Sequence, residues 1–401
     1  MDAREAVEMS TQRPVIISCD GHATARPEDY TPYIEPAYRE RYVDFVEHLH
    51  GVRLKMEERR ENDEGLFSKK GSEEFEAATG DDRDGEWNSA VRTRVLEQEG
   101  VVAEILFPNG GVPFGGFGES AEDHELRQAG NRAYDRWLLD FANDLPGRRG
   151  ALAMLAVGDI DACVAEINWA AENGFAGVIA PTEPGEGLPS YLDDCYDPVW
   201  AACQDTGLAV HFHAGGGTPN YGDYGVASML MYATETTYFG RRPLFYFLWG
   251  GIFERFPRLK LVLTENRADW VPDTLKLLDG IYRAPFFSHV RETLSLSPSE
   301  YWERQVWCAA SFMGADESAL RHEIGLERLM WGADYPHVEG TWPRTKRSLS
   351  RCFAGIPAEE TQAILETNPA ALYGFDVAAL QEVADRIESP TAAELTGAGA
   401  A

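Results

Sequence analysis

Eight short apolar runs, rich in β-branched residues, are the feature that most restricts the fold of this 401-residue chain. Helix-like stretches separate them; one, "DACVAEINWAAENG", has apolar residues at a spacing of about 3.6 and ends on Gly174 in a C-cap position. Strands that alternate with helices form a buried parallel sheet, and eight of them close a (β/α)8 TIM barrel. The runs lie at 14–18, 101–107, 150–155, 176–180, 208–213, 259–264, 306–310 and 329–333.

The barrel is expected to occupy residues 14–375, with an extension at 1–13 and a C-terminal helix and tail at 376–401. Residues 40–95 are dense in charge and hold few large apolar residues, so we expect a helical insertion that closes over the barrel as a lid or decorates it. From about Glu388 the chain is small and polar, "ESPTAAELTGAGAA", and we expect this tail to be disordered.

The charge balance disfavours several classes of partner. With 66 acidic and 36 basic residues the formal net charge is -30, which argues against binding to a nucleic acid or an anionic membrane. The first residues lack a signal-peptide core, no apolar run reaches the ~18 residues of a membrane span, and the six cysteines form no C-x-x-C pair. We therefore expect a cytoplasmic protein with reduced thiols. Neither a P-loop nor a Rossmann fingerprint follows any run, which disfavours a nucleotide-dependent enzyme.

Polar side chains that can bind a metal follow four of the predicted strands. "SCDGHA" places Asp20 and His22 two residues apart, and "LAVHFHAGGG" does the same for His211 and His213, so the members of each pair face one way. The carboxyl ends of barrel strands meet at one face, where active sites lie. Carboxylates and imidazoles gathered there match the ligands of Zn, Mn or Fe, although each of them alone is as typical of a polar rim. The other two strand ends supply Glu265, Asp334 and His337.

These motifs resemble the amidohydrolase superfamily, and most closely the branch that contains aminocarboxymuconate-semialdehyde decarboxylase. The resemblance rests on Asp-x-His after the first strand, a strand-end His before Ala-Gly, an acidic residue before "WVP", "GADYPH" after the eighth strand and the closing "ETNPAALYGF". It implies a divalent ion as cofactor, Zn in preference to Mn or Fe. One ion is expected rather than two, because the fourth strand lacks the lysine that bridges two metals in dinuclear members. The metal ligands that it implies are Asp20, His22, His213 and Asp334.

Two residues depart from the pattern of that branch. Asp20 stands where the branch often has the first histidine of His-x-His, and Glu265 stands where its decarboxylases carry a histidine that works on water or substrate. We therefore expect metal-bound water to hydrolyse a small cyclic or carboxylated substrate. His211, one pleat deeper than His213, is expected to contact the substrate or to support the ligands. The residues expected to take part in catalysis are Asp334, Glu265, His337 and His211.

Three alternatives to hydrolysis stay open. Non-oxidative decarboxylation of an aromatic or enoic acid uses the same ligand set, and so does a hydratase or a carbon–carbon bond hydrolase, because fold and ligands do not determine the reaction. A barrel that has lost catalysis and serves as a binding protein is the third alternative.

Substrate contacts are expected from the loops that follow the strands. In the glycine-rich "FPNGGVPFGGFG", Asn109 offers hydrogen bonds, and Phe114 and Phe117 offer an apolar wall. Arg267 is a candidate for binding a substrate carboxylate, and an ion pair with Asp269 is the alternative.

The segment 229–251 is unusually rich in aromatic residues. Such a composition is typical of core packing or of a contact between subunits, and we expect a homodimer. A small-molecule substrate is the other partner that we expect.

Overall fold

The computed structural model describes residues 12–61, 69–115, 124–222 and 224–397. Eight parallel strands pair in chain order, each with the next. The sheet then returns to its start, because Asp334 N donates to Asp20 O at 2.9 Å and His22 N donates to Tyr335 O at 2.7 Å. The predicted TIM barrel is confirmed. The strands are β1 (Ile17–His22), β2 (Ala103–Phe107), β3 (Arg149–Met154), β4 (Gly177–Ile179), β5 (Ala209–His213), β6 (Leu261–Thr264), β7 (Val306–Ser311) and β8 (Leu329–Gly332).

Helices fill the connections between the strands. The helix Ile160–Glu172 is representative: Asp159 caps its first turn, and its buried residues include Cys163, Ile167 and Ala170, at helical spacing. The α-helices are Arg39–Glu61, Lys69–Thr79, Ser89–Gln98, His124–Asn143, Ile160–Glu172, Asp197–Thr206, Val226–Gly240, Arg242–Trp249, Ile252–Arg255, Val271–Arg283, Val290–Thr293, Pro298–Gln305, Ala315–Ala319, Arg321–Ile324, Thr345–Cys352, Ala358–Gln362, Asn368–Tyr373, Val377–Arg386 and Ala392–Thr396.

The first strand continues past the predicted end at residue 18 as far as His22. Its ladder with β2 shifts register between Ser18 and Gly21. A Cβ atom on Gly21 would lie 2.9 Å from Arg92 Nη2 and 2.9 Å from Glu104 Oε2. Glycine at this position therefore lets a buried ion pair lie against the strand, which carries its polar end to the mouth of the barrel.

Arg92 and Glu104 form that ion pair, between the helix Ser89–Gln98 and β2. Arg92 Nε lies 2.7 Å from Glu104 Oε1, and Arg92 Nη2 lies 2.6 Å from Glu104 Oε2. Arg92 is 0% exposed and Glu104 is 2% exposed. Arg92 Nη1 also donates to the backbone carbonyl of His22 at 2.6 Å. The pair consequently anchors the end of β1 by charge-assisted hydrogen bonds.

The connection between β1 and β2, here called the inserted segment (residues 39–98), is helical, as its sequence indicates. Its last helix packs on the barrel, where Val95 and Leu96 are buried. Its 3-10 turn is bound to the barrel as well, because Tyr335 OH donates to Asp82 O and Thr24 N donates to Glu86 O. The segment consists of the helices Arg39–Glu61, Lys69–Thr79 and Ser89–Gln98 and the 3-10 turn Gly80–Glu86.

The C-terminal tail corrects one expectation. The stretch after Glu388 was expected to be disordered, yet its described part, which ends at residue 397, contains the helix Ala392–Thr396. Thr391 and Glu394 form a capping box at the start of this helix, and Leu395 is fully buried. Two stabilising features that composition does not reveal, a cap and a buried apolar contact, therefore order the segment.

No helix in the described part of the chain is long and apolar enough to cross a membrane. The six cysteines are all free thiols, and five of them are buried.

We predict that Arg92→Met, which keeps most of the volume of the side chain, lowers the free energy of unfolding by about 3–5 kcal/mol. The physical reason is that the buried Glu104 loses both hydrogen bonds from Arg92 and keeps only the longer contact with Arg149, whose Nε lies 3.6 Å from Glu104 Oε1. Urea denaturation of the two proteins measures the difference.

Arg94→Met on the same helix is the control, because the Arg94–Asp82 pair, at 2.6 Å, joins side chains that are 48% and 33% exposed. Its loss should cost less than about 1 kcal/mol. Equal effects of the two substitutions would contradict the anchoring role of Arg92.

Candidate metal centre

Five side chains that can bind a metal converge at the carboxyl ends of the strands. Asp20 Oδ1 lies 3.5 Å from His22 Nε2 and 3.3 Å from His213 Nε2. His22 Nε2 lies 3.2 Å from Asp334 Oδ1, and His213 Nε2 lies 3.3 Å from Glu265 Oε2. The structure thus brings together all four predicted ligands and adds Glu265, which comes from the turn after β6.

Backbone carbonyls determine which nitrogen of each histidine faces the cluster. His22 Nδ1 lies 2.8 Å from the carbonyl oxygen of Pro108, and His213 Nδ1 lies 2.8 Å from that of Ala214. A carbonyl oxygen only accepts, so each Nδ1 carries a proton and each Nε2 presents its lone pair to the cluster in the neutral ring. This arrangement is typical of histidines that bind metals.

The backbone at two of the acidic residues has a left-handed conformation. The φ angle is 57° at Glu265 and 58° at Asp334. A residue with a Cβ atom pays roughly 1–2 kcal/mol for this conformation. Glu265 follows β6 and Asp334 follows β8, and at both places the chain turns sharply so that the carboxylate reaches the cluster. Such strain is concentrated at functional sites.

The pKa values reflect the excess of negative charge. Burial acts to lower the pKa of His213, but the charges of Asp20 and Glu265 outweigh it and raise that pKa to about 10. Burial, reinforced by Asp334 and Asp20, raises the pKa of Glu265 to about 8. Burial opposes ionisation of Asp334 too, but its contacts with His22 and His337 hold its pKa at about 2. The cluster therefore attracts positive charge.

These residues fit a single divalent cation. Asp334 Oδ2 is buried without a hydrogen-bond partner, and His22 Nε2 and Asp334 Oδ1, although 3.2 Å apart, are not aligned for a hydrogen bond. Two atoms that bind one ion at about 2.1 Å lie roughly 3.0–3.5 Å apart, which is the range of the distances within the cluster. Nitrogen and oxygen donors of this kind suit Zn, Mn or Fe. A group of Asp20, His22, His213 and Glu265 satisfies the mutual distances that a shared ion requires, and His22, Asp334 and His337 form an overlapping group.

Ser311 supports the cluster and was missed in the sequence. Its Oγ donates to Asp20 Oδ2 from the end of β7. The signal was available, because Ser311 is the last residue of a strand and so lies at the same face as the other ligands. It was overlooked because a lone serine has no metal-ligand spacing.

His211 lies deeper in the barrel and outside the cluster. It is fully buried, and its Nδ1 lies 3.0 Å from the carbonyl of Val178. Its Nε2 lies 3.0 Å from the hydroxyl of Tyr373, the last residue of the helix Asn368–Tyr373. Burial lowers the pKa of His211 to about 4. Both ring nitrogens are thus engaged by the protein itself.

His337 stands beside the cluster rather than in its centre. Its ring stacks on that of His22 with centroids 4.1 Å apart, and its Nδ1 lies 2.8 Å from Asp334 Oδ1. Its Nε2 lies 3.3 Å from Asn109 Oδ1. Burial acts to lower the pKa of His337, but Asp334 and Glu265 raise it to about 9.

Only some of the residues predicted to bind substrate line the cavity above the cluster. Asn109 lines the cavity above the cluster, whereas Phe114 packs on Tyr42 with ring centroids 5.6 Å apart. Phe117 lies outside the described residues. Arg267 lines the cavity but also forms ion pairs with Asp269 at 3.1 Å and with Asp316 at 2.9 Å, so the ion-pair alternative is present.

The cluster opens into a cavity of about 880 Å³. The turn after β5 forms part of its wall, and a Cβ on Gly216 would lie 2.7 Å from Thr182 Oγ1, so glycine permits the close approach of these two loops. This volume suits a small organic molecule. Apolar residues that line it include Met154, Ile179, Met229, Phe312 and Val338.

A family model described as amidohydrolase matches residues 98–375 of this chain. No curated protein matches the chain.

Several solved structures have the same fold. An amidohydrolase from Mycobacterium avium subsp. paratuberculosis is 22% identical, with a TM-score of 0.59, and the match covers 72% of this chain and 74% of that one. 5-Carboxyvanillate decarboxylase from Sphingomonas paucimobilis is 19% identical, with a TM-score of 0.61, and the match covers 90% of this chain and 99% of that one. A dihydroxybenzoic acid decarboxylase from Polaromonas, with bound manganese and the inhibitor 2-nitroresorcinol, is 14% identical, with a TM-score of 0.61, and the match covers 90% of this chain and 97% of that one.

The family match spans well over half of the 401 residues and includes seven of the eight strands and the residues His213, Glu265 and Asp334. The family predicted from the motifs is confirmed, and the chain belongs to the amidohydrolase family of enzymes.

Proposed function

We propose that the chain is a mononuclear metal-dependent hydrolase that acts on a small, neutral or carboxylated, cyclic compound. One observation carries this proposal: Glu265 Oε2 is held 3.3 Å from His213 Nε2 within a cluster fit for a metal, and Glu265 lines the cavity. A carboxylate beside the ion that also faces the cavity is placed to move protons in catalysis.

Each residue has a distinct part in the proposed mechanism. Asp20, His22, His213 and Asp334 would hold a divalent ion, which polarises the substrate and lowers the pKa of water that it binds. Glu265 would take the proton from the attacking water at Oε2 and later give it to the leaving group. His337, whose ring nitrogens face Asp334 and Asn109, would place its positive charge near the charge that develops on the substrate.

Non-oxidative decarboxylation is the second candidate. It is favoured by the likeness to two decarboxylases over 90% of this chain and almost all of theirs. In that case Glu265 in its protonated form would supply the proton that replaces the carboxylate on carbon. Its raised pKa suits this part as well, so only the products separate the two candidates.

Zinc is the metal that we propose, ahead of manganese or iron, because two imidazoles together with carboxylates are ligands that zinc takes in catalytic sites. One ion is proposed rather than two, since β4 supplies no lysine to bridge a second. We further propose a cytoplasmic location, which the free thiols support.

A homodimer formed through the helix Val226–Gly240 is also proposed. This helix carries a single charged residue, Glu235, and most of it is not buried. Leu230 is 56% exposed and Tyr238 is 59% exposed. A contiguous apolar surface of this kind is typical of contacts between subunits.

The metal assignment predicts that purified wild-type protein carries about one Zn²⁺ per chain and that His213→Gln loses it. His211→Gln on the same strand is the matched control and should keep the ion, because His211 bonds to Tyr373 instead. Elemental mass spectrometry of the purified proteins measures both. A wild type that stays metal-free after reconstitution would rule out the metal centre.

Glu265→Gln should lower kcat by about 10²–10⁴-fold while the ion remains bound, since it removes the group that moves the proton but leaves four ligands. Glu183→Gln, which alters a carboxylate that pairs with Arg242 at 2.8 Å and lies outside the cluster, should change kcat much less. Steady-state kinetics on the best substrate from a screen of cyclic esters, amides and lactones measures the two effects.

The reaction type is tested by the products. Incubation with 5-carboxyvanillate or 2,6-dihydroxybenzoate should release no carbon dioxide if hydrolysis is the activity. Release that depends on Glu265 would instead establish decarboxylation and overturn the first candidate.

The dimer is tested by sedimentation. We expect wild type to sediment as a dimer and Leu230→Glu, which places a charge in the apolar surface of the helix, to sediment as a monomer. A strictly monomeric wild type would contradict this proposal.

A further inference from the structure

A chain of contacts links the inserted segment to the metal centre. Asn109 Nδ2 donates to Glu86 Oε1 at 2.7 Å, and Asn109 Oδ1 lies 3.3 Å from His337 Nε2. The His337 ring stacks on His22, and its Nδ1 lies 2.8 Å from Asp334 Oδ1. The contacts therefore run from Glu86, which lies behind the cavity wall, to two of the metal ligands.

Glu86 determines the direction of these hydrogen bonds. An ionised carboxylate only accepts, so the NH2 group of Asn109 must face Glu86 and its carbonyl oxygen must face His337. A carbonyl oxygen also only accepts, so His337 Nε2 is the donor in that contact. The N–H of Gly110 donates to Asn109 Oδ1 at 2.8 Å, so Glu86 and this backbone group together decide which way the amide of Asn109 points.

The backbone holds Glu86 and Asn109 at a defined separation. Thr24, just past the end of β1, donates its N–H to Glu86 O at 3.1 Å, and its Oγ1 accepts from Asn109 N at 2.8 Å. The turn that carries Glu86 is held further by Arg92 Nη1, which donates to Gly85 O at 3.2 Å. Because Thr24 is buried, this bracing is protected from competing water.

We propose that Glu86 is a positioning residue that orients Asn109, so that Asn109 presents its carbonyl oxygen to His337 and holds that ring against the metal ligand His22. The inference rests on the proposed function, since it gives the inserted segment a part in the same site. It also makes the turn Gly80–Glu86 a fixed support behind the cavity wall rather than a moving lid.

Two substitutions test the direction of the hydrogen bonds. Glu86→Gln keeps the size of the side chain but removes the charge that Asn109 Nδ2 faces. The amide of Asn109 is then held in its orientation by the Gly110 N–H alone, so its hold on His337 weakens. The double variant Glu86→Gln with Asn109→Asp restores the direction, because residue 86 then donates and residue 109 accepts from both sides. Asp82→Asn is the control: it alters a carboxylate of the same turn that pairs with Arg94, outside this chain of contacts.

Long-range ¹H–¹⁵N spectra of histidine-labelled protein, recorded with and without Zn²⁺, report whether His337 Nε2 carries a proton. The variant His337→Gln assigns the signal. We expect a protonated Nε2 in wild type and in Asp82→Asn, loss or exchange broadening of that signal in Glu86→Gln, and its recovery in the double variant.

A signal that is unchanged in Glu86→Gln, or that fails to return in the double variant, would overturn the proposal. The zinc content of the same samples separates this failure from that of the proposed function. If wild type binds no Zn²⁺, the metal centre is refuted, while the spectra without zinc still decide the role of Glu86.

Discussion

The concentration of negative charge at the mouth of the barrel is the constraint on which the rest of the structure depends. Asp20, Asp334 and Glu265 meet there with the Nε2 atoms of His22 and His213. None of these groups satisfies another without a proton or a cation, and unbalanced charge in a buried place is costly. A divalent ion would match the donor atoms, so the same unbalanced charge that is costly in the barrel makes the cluster a candidate binding site.

Elements that are far apart in the chain hold this cluster in shape. The buried pair of Arg92 and Glu104 anchors the carbonyl of His22. Carbonyl groups of two loops set the protonated nitrogen of each ligating histidine, and left-handed backbone at Glu265 and Asp334 aims the carboxylates. Each of these supports is a strong interaction with buried or backbone groups. The positions of the candidate ligands therefore do not depend on flexible surface contacts.

Much of the fold and of the site could be predicted because it follows from local patterns. Alternating apolar runs and helices indicated the barrel, and strand-end carboxylates and histidines indicated the side chains that converge at its mouth. Residues without a local pattern were missed. Ser311 acquires its role only from Asp20 across the barrel. The last helix was mistaken for a disordered tail, because its small polar residues hide a cap and one buried leucine, Leu395, whose partners come from the folded domain.

The sequence by itself determined the eight strand–helix repeats and the supply of acidic and imidazole side chains at the strand ends, since periodicity and strand direction are local properties. Only the tertiary structure decided how His211 and His213 differ. Both side chains lie on one face of β5, but they contact different parts of the chain. His211 contacts Tyr373 of the helix Asn368–Tyr373, and His213 contacts Asp20 of β1. Contacts between distant parts of the chain are absent from any local pattern, which is why packing alone divides these two histidines.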